Sequence, residues 1–397
     1  NKSCNICQAI PPQTNTFCEL DGKWAKLVNV CVCKHGAIVP APAYDLQIMT
    51  KMLDAKQLEP LRYAIDRVRT GHSLSASEIA DAWRILMSGG APEGLIGALL
   101  AALATRKPTG EELFGASSIM KEFVQKVHLE GDCTQFLDTC GTGGAPKTFN
   151  VSTAAGIVLA ACGVKIAKHG NRSRTGRGSA EVLESLGINI HATQQQQQAS
   201  FEEENICFCF APNHHKAVAS VMPVRKQLGF PTIFNLLGPL SNPCDAGRQL
   251  LGVWDDAFVV PMAESLLQSS TTKSAVVHSH DGLDEVSVSA PTRMVLVDDG
   301  KLVESTIDPE SLGLEISRLE DLVASDLNQA TAFVRDTLSG ALQGGVRDMV
   351  VLNVSVGLFL ADRAQDLSEG LQIANETIDS GRANETLLKW ANISFSS

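Results

Sequence analysis

Between residues 46 and 126, hydrophobic positions recur every three or four residues, which is the spacing of one face of an amphipathic helix. Two helix starts are recognisable in this stretch, because Ser75 is followed by Glu78 and Thr109 is followed by Glu112. In each pair the hydroxyl can accept a hydrogen bond from the backbone amide of the glutamate. The glutamate carboxylate can accept one from the backbone amide of the serine or threonine. The pattern predicts a small all-helical unit of about four helices.

From residue 136 onwards, short hydrophobic runs alternate with helical patterns. This alternation predicts an α/β fold with a mainly parallel central sheet flanked by helices, because parallel strands need helical crossovers. Residues 367–390 predict two helices broken at 379–381. The predicted strands cover residues 136–140, 164–167, 206–210, 275–278, 294–297 and 349–353.

The first 45 residues show no clear period and contain several prolines. Five of the 11 cysteines lie in this extension, namely Cys4, Cys7, Cys18, Cys31 and Cys33. Together with His35 they are compatible with a zinc site, although the spacing is irregular and matches no standard zinc finger. An unstructured extension and sequence outside the true coding frame are the alternatives, so residues 1–45 are left unassigned.

Composition narrows the function classes. The chain has 397 residues, a net charge of −11, 44% hydrophobic residues and 19% charged residues. These values argue against intrinsic disorder, and no hydrophobic run is long enough to cross a bilayer. An acidic protein is a poor nucleic-acid binder, because phosphates require a basic face. We expect a soluble, cytoplasmic protein with neither nucleic-acid nor membrane partners.

A glycine-rich turn, Gly141-Thr142-Gly143-Gly144, follows a predicted strand and precedes a helix that starts near Ser152. Glycines let backbone amides approach an anion, and the positive end of the following helix points at the same place. The motif is neither a P-loop nor a dinucleotide fingerprint, and many such turns serve only to turn the chain. We interpret it as a phosphate site.

A basic run follows the next strand, with cations at Lys168, Arg172, Arg174 and Arg177. The run is compatible with a solvated basic loop. Ligands of parallel sheets, however, bind at the carboxyl ends of strands, where a locally positive pocket suits a polyphosphate. We therefore favour a ligand-binding interpretation.

Two further elements carry charge. Asp284 and Glu285 are adjacent acids on a loop after a strand, and hard oxygen ligands of this kind suit Mg²⁺, although an exposed acidic turn is the alternative.

His214 and His215 could be read as part of a zinc site, but a third ligand at the right spacing is missing from the sequence. Arg225 is either an ordinary surface arginine or a residue that binds a carboxylate with two parallel hydrogen bonds.

The motifs occur together in an order that resembles the anthranilate phosphoribosyltransferase family. The resemblance covers about residues 50–390 and is far more specific than a single glycine-rich loop. The residues that carry it are the run 138–187 and the motifs at 210–215, 224–229, 232–243, 281–285 and 378–381.

The resemblance implies a small helical domain, a larger α/β domain and an active site between them, usually in a homodimer. It assigns residues 46–128 with 212–230 to the helical domain, and residues 129–211 with 231–397 to the α/β domain that binds phosphoribosyl diphosphate. The implied reaction joins anthranilate to 5-phosphoribosyl 1-diphosphate and releases diphosphate. The implied cofactor is Mg²⁺, with two ions per active site.

The resemblance also implies roles for individual residues. The implied catalytic residues are Lys168, Asn171 and Arg225. The phosphoribosyl diphosphate would contact Gly141, Thr142, Gly143, Gly144, Thr148, Asn150, Ser152, Thr153, Lys168, Thr175 and Ser179. Anthranilate would contact Gly141, His169, Asn171, His215 and Arg225. The metal ligands would be Ser152, Asp284 and Glu285.

The chain departs from the family pattern at two loops. Ala145-Pro146 replaces an Asp-Gly pair after the glycine-rich turn, and the loop 173–179 is one residue shorter. These departures motivate one alternative, a paralogue that binds the donor but turns it over poorly. Two further alternatives stay open: a phosphoribosyltransferase or nucleoside phosphorylase with another acceptor, and a non-enzymatic nucleic-acid-binding relative on the same fold.

Overall fold

The computed structural model describes residues 53–146, 148–173 and 176–396, together with the backbone of four short strands in the first 40 residues. The chain divides into two units, Asn1–Lys51 and Met52–Ser397. In the first unit, β1 (Phe17–Leu20) pairs antiparallel with β2 (Lys23–Lys26), and β3 (Val30–Val32) with β4 (Ile38–Pro40). The zinc hypothesis stays a prediction, because the following lie outside the described residues: Cys4, Cys7, Cys33, His35 and the side chains of Cys18 and Cys31.

The second unit begins with four helices, α1 (Glu59–Arg69), α2 (Ala76–Met87), α3 (Glu93–Ala104) and α4 (Gly110–Phe123). Both predicted capping boxes are present, one at the start of α2 and one at the start of α4. The helices bury Trp83, whose ring packs against Phe234 with a centroid distance of 5.1 Å. The predicted helical unit is confirmed.

The second unit also contains a sheet built from β5 (Leu137–Gly141), β6 (Ile166–Gly170), β7 (Ile206–Phe210), β8 (Arg248–Gly252), β9 (Lys273–Ser279), β10 (Thr292–Asp298) and β11 (Lys301–Ile307). The strand order is β11-β10-β9-β8-β5-β6-β7. Strands β5 to β9 are parallel, while β10 is antiparallel to β9 and β11. The predicted α/β fold with a mainly parallel sheet is confirmed.

Helices flank this sheet and complete the second unit. None of the helices in the described residues has the length and hydrophobicity needed to cross a bilayer. The remaining helices are α5 (Val151–Ala161), α6 (Ser179–Ser185), α7 (Gln194–Glu204), α8 (Ala211–His214), α9 (Met222–Leu228), α10 (Phe234–Leu237), α11 (Val259–Gln268), α12 (Leu327–Leu338), α13 (Gly345–Leu360), α14 (Leu367–Asp379) and α15 (Arg382–Ile393).

Two large hydrophobic cores hold the elements together. The first joins the sheet to α5, α13 and α15, and α13 approaches α5 so closely that a Cβ at Gly357 would lie 2.6 Å from Leu159. The second core joins the first four helices to Val221 and Val224 of the segment 212–230. Helix α9 therefore packs with the helical bundle although it follows β7 in the chain.

Some strand predictions were wrong. Residues 349–353 lie inside α13, which is buried on nearly every side, and a continuous hydrophobic run does not distinguish a buried helix from a buried strand. The sequence pattern also missed β8, which starts with Arg248 and Gln249. Both side chains are buried with partners, because Arg248 pairs with Asp362 at 2.6 Å and the Gln249 amide donates to the Pro239 carbonyl at 2.7 Å.

The start of α4 contains a buried charge. The Glu112 carboxylate is fully buried and accepts from the Leu74 amide at 2.9 Å, the Thr109 amide at 2.9 Å and the Arg106 guanidinium at 2.8 Å. Burial raises the pKa of Glu112, but these hydrogen bonds outweigh burial and hold the pKa below its ordinary value.

We expect Glu112→Ala to lower the free energy of unfolding by about 3–5 kcal/mol, because it leaves the partly buried Arg106 guanidinium without its carboxylate partner and the Leu74 and Thr109 amides without an acceptor. Urea unfolding at neutral pH measures this loss. The pKa of Glu112 is lowered on folding, so its contribution is present above the unfolded-state pKa and is lost as the pH falls through the folded-state pKa.

Asp321→Ala is the matched control, since Asp321 forms an ion pair with Arg318 at 2.9 Å on an exposed surface. Its removal should cost less than about 1 kcal/mol. Equal losses for the two variants would contradict the structural role given to Glu112.

Candidate functional site

The glycine-rich turn ends β5 and is closely covered by the acidic loop. Gly143 and Gly144 have φ angles of +63° and +103°, which favour glycine. The Gly143 amide donates to Asp284 Oδ2 at 3.1 Å. A Cβ at Gly141 would lie 2.8 Å from the same oxygen, and a Cβ at Gly252 would lie 1.6 Å from the Asp284 carbonyl oxygen. The glycine-rich turn and the acidic loop are about 140 residues apart in the chain. They can pack against each other only because glycines occupy the ends of β5 and β8.

The N-terminus of α5 adds a second group of polar atoms beside this turn. The Glu285 carboxylate is partly buried and interacts with the Ser152 backbone amide in the first turn of the helix. Burial, followed by the neighbouring charge of Asp284, raises the pKa of Glu285 to about 8. The Thr153 hydroxyl is buried without a hydrogen-bond partner in the part of the chain that the structure describes. Asn150 donates to the Arg177 carbonyl at 3.3 Å.

Lys168 links β6 to this helix start. Its side chain is 2% exposed, and Nζ donates to the Thr139 carbonyl and to the backbone and hydroxyl oxygens of Ser152 at 3.3 and 3.4 Å. Burial lowers the pKa of Lys168, while the charges of Asp138 and Glu285 oppose that change. The lysine is therefore a buried cation that interacts with the buried Asp138 and the partly buried Glu285.

Asp138 of β5 positions His169, the residue that follows Lys168 on β6. Its carboxylate accepts from the His169 amide at 3.1 Å and from the Asn242 side-chain amide at 2.8 Å, and burial raises its pKa to about 6. His169 Nε2 lies 3.2 Å from His215 Nε2. Burial lowers the pKa of His169 far below its ordinary value and that of His215 to about 4. Both imidazoles are therefore neutral near pH 7, and one donates to the other.

Arg225 lies on α9, on the side of the helical bundle. Its guanidinium is half-buried, lies 4.9 Å from the centroid of the Phe234 ring and donates to Met222 Sδ at 3.4 Å. Burial lowers its pKa. Arg225 forms no ion pair with any of the residues that the structure describes.

The structure connects most of the predicted site residues. The glycine-rich turn, Ser152, Lys168 and the acidic pair form one continuous network, as the contacts above show. Asn171 and Ser179 contact each other instead, since the Ser179 hydroxyl donates to the Asn171 carbonyl at 3.4 Å. Thr148 forms a hydrogen bond to the adjacent Phe149 carbonyl at 3.4 Å, and Thr175 lies outside the described residues.

The described arginines of the basic run do not form one cluster, and Arg174 lies outside the described residues. Arg172 pairs with Glu184 at 2.7 Å, and Arg177 donates to the Ala324 carbonyl. Sequence reasoning also gave no site role to Asp138 and Asn242, which position the strand that carries Lys168 and His169. Asp138 and Asn242 lie inside two of the motifs that carry the family resemblance, 138–187 and 232–243, and this position was the sequence signal for their role.

Comparisons with known proteins agree with this arrangement. Residues 133–384 match the glycosyl transferase family α/β-domain model, and residues 62–124 match the helical bundle domain of the same family. The anthranilate phosphoribosyltransferase of Thermoanaerobacter sp. (strain X514) is 40% identical over 329 residues, which cover 82% of this chain and 96% of the relative.

Solved structures give the same result. The anthranilate phosphoribosyltransferase of Thermus thermophilus superposes with a TM-score of 0.78 at 34% identity, covering 84% of this chain and 99% of that one. The Saccharomyces cerevisiae enzyme in complex with PRPP and Mg gives a TM-score of 0.76 at 25% identity, covering 85% and 98%, and the yeast enzyme has also been solved with 4-fluoroanthranilate. With this fold, these motifs and this similarity over most of its length, the chain belongs to the anthranilate phosphoribosyltransferase family.

Proposed function

We propose that this protein transfers the 5-phosphoribosyl group from 5-phosphoribosyl 1-diphosphate to the amine of anthranilate and releases diphosphate, the second step of tryptophan synthesis from chorismate. The observation that carries the proposal is the continuous contact between the glycine-rich turn, the N-terminus of α5, Lys168 and the acidic pair. Such a set of amides, cation and carboxylates suits a polyphosphate and its metal.

We assign the donor side to this network. The turn and the helix start supply backbone amides and hydroxyls, and Lys168 supplies a fixed positive charge. The Thr153 hydroxyl supports the assignment, because a buried hydroxyl without a partner among the described residues is suited to a ligand oxygen. The proposed contacts are Gly141, Thr142, Gly143, Gly144, Thr148, Asn150, Ser152, Thr153, Lys168, Thr175 and Ser179.

The acidic pair fits a magnesium ion. Burial and then the charge of Asp284 raise the pKa of Glu285, and a cation would relieve the repulsion between the two carboxylates. Asp284, Glu285 and the Ser152 hydroxyl offer the hard oxygen atoms that Mg²⁺ prefers, and we propose up to two ions per site. When bound, Mg²⁺ neutralises charge on the diphosphate. In this structure the Asp284 carboxylate accepts from Gly143 instead, so that amide and a cation would compete for it.

We assign the acceptor side to Gly141, His169, Asn171, His215 and Arg225. The half-buried guanidinium of Arg225 has no carboxylate partner among the described residues and is suited to the carboxylate of anthranilate. Neutral His169 and His215 leave that arginine as the cation of the acceptor side. This arrangement favours a carboxylated acceptor over a nucleoside.

The chemistry follows from charge. Breaking the anomeric C–O bond of the donor leaves negative charge on diphosphate, and the Lys168 ammonium stabilises that charge in a buried environment. The anthranilate amine attacks as a neutral nucleophile, so positioning contributes most and no covalent nucleophile is needed. Asn171 and Arg225 orient the acceptor in this proposal.

The domain division belongs to the same proposal. We propose that residues 46–128 with 212–230 form the helical domain, since Val221 and Val224 share a core with the first four helices. Residues 129–211 with 231–397 would then form the α/β domain, so that Arg225 faces the donor site from the other domain. We further propose a cytoplasmic homodimer, which sedimentation of the purified chain and microscopy of a tagged chain would test.

We expect Arg225→Ala to raise the KM for anthranilate by about 10- to 100-fold, because a charge-assisted hydrogen bond to the carboxylate is lost. The KM for the ribose donor should change much less. Steady-state assays that follow anthranilate fluorescence measure both constants. Arg84→Ala is the matched control, since this exposed arginine of α2 pairs with Glu122 at 2.9 Å. An equal increase in both KM values for Arg225→Ala would refute the assigned role.

We expect Glu285→Gln to raise the Mg²⁺ concentration needed for half-maximal rate by at least about tenfold, because an amide is a much weaker magnesium ligand than a carboxylate. Removal of Mg²⁺ with a chelator should abolish turnover of the unmodified protein, and added Mg²⁺ should restore it. Glu310→Gln changes an exposed acid and serves as the control. An unchanged Mg²⁺ requirement in Glu285→Gln would argue against this metal site.

A further inference from the structure

Three buried thiols, those of Cys207, Cys209 and Cys244, meet at the edge of the sheet. Cys207 and Cys209 alternate on β7 and therefore point to the same face of the sheet. Cys244 reaches the same place from the loop before β8. The three sulfur atoms all lie within 4.8 Å of one another, and Cys209 Sγ lies 3.3 Å from Cys244 Sγ.

These distances match a metal site. Ligands at the Zn–S distance of about 2.3 Å in a tetrahedron lie about 3.8 Å apart. The thiols are fully or almost fully buried in a small cluster with Val127, Phe136 and Phe201. Neither the donor site nor the acceptor site uses any of the three.

His214 provides an independent observation. Its side chain is 7% exposed, and Nδ1 lies 3.1 Å from the Gln125 carbonyl oxygen. Because a carbonyl oxygen only accepts, Nδ1 carries the proton and Nε2 carries a lone pair. This Nε2 is buried and has no hydrogen-bond partner in the described ranges. Metal-bound histidines commonly donate their other ring nitrogen to a carbonyl in this way.

We propose that Cys207, Cys209, Cys244 and His214 bind one Zn²⁺ ion. His214 directly precedes His215 in the segment that follows β7, and its imidazole interacts electrostatically with Cys244. The ring is not part of the 4.8 Å group, so completing a tetrahedral shell requires it to shift towards the sulfur atoms. Binding releases the thiol protons to water and needs no oxidant, whereas a disulfide between Cys209 and Cys244 would need one.

The first test uses the unmodified full-length chain, loaded with Zn²⁺ and freed of excess metal. X-ray absorption at the zinc edge should give three sulfur ligands at about 2.3 Å and one imidazole nitrogen at about 2.0–2.1 Å. Four sulfur ligands would place the metal on the N-terminal cysteines and overturn the proposal. Three sulfur ligands without imidazole scattering would overturn the assignment of His214. A chain that retains no zinc, or that carries a Cys209–Cys244 disulfide, would overturn the site itself.

The second test compares variants by metal content and by the thiolate-to-cobalt absorption of the Co²⁺-loaded chain. Cys209→Ser should lose one equivalent of metal and at least about 80% of the absorption, since a hydroxyl is a poor ligand for a thiophilic metal. Cys162→Ser is the matched control, because Cys162 is a partly buried thiol that contacts Thr377 instead. Loss of metal in a Cys4→Ser/Cys7→Ser variant, with Cys209→Ser unaffected, would refute the site. Zinc-edge data on the unmodified chain decide the question if Cys209→Ser does not fold.

Discussion

The burial of opposite charges at the ends of β5 and β6 is the constraint on which the rest of the site depends. Lys168 is almost fully buried, and it interacts electrostatically with the buried Asp138 and the partly buried Glu285. A single buried charge would be strongly destabilising, but a cation with two acidic neighbours is tolerated because each charge has a partner and hydrogen bonds. The strand ends cannot separate without exposing one of these charges unpaired, so we expect the proposed donor site to be formed before any ligand binds.

This arrangement requires strands and loops to approach more closely than side chains normally allow. Gly252 stands opposite Gly141 in the pairing of β5 with β8, and the acidic loop lies across both. A methyl group at either position would collide with Asp284. The glycines of this site therefore serve two functions, since those of the turn bend the chain and those at the strand ends let a carboxylate reach the turn.

The sequence predicted the parts of the fold that repeat with a regular period and the parts of the site that form contiguous motifs. The capping boxes of α2 and α4 are local, so neighbouring residues were sufficient to predict them. The strand β8 was missed because it begins with two polar side chains, and the partner that lets Arg248 be buried, Asp362, lies 114 residues further along the chain. The thiol cluster was missed because Cys244 is separated by 35 residues from Cys209. A spacing of this length matches no metal-binding motif that a sequence reveals.

A chain of short contacts joins the thiol cluster to the acceptor side of the site. The Cys244 amide donates to Asn242 Oδ1 at 2.8 Å, and the Asn242 side-chain amide donates to Asp138, which in turn holds the His169 amide. His214, the proposed fourth zinc ligand, is followed directly by His215, which contacts His169. A metal bound to the thiols would therefore restrain both histidines. It would restrain His215 through the backbone that joins it to His214, and His169 through the hydrogen bonds of Asn242 and Asp138. The proposed zinc ion would then be a structural support for acceptor binding, because it touches no substrate but restrains the residues that do.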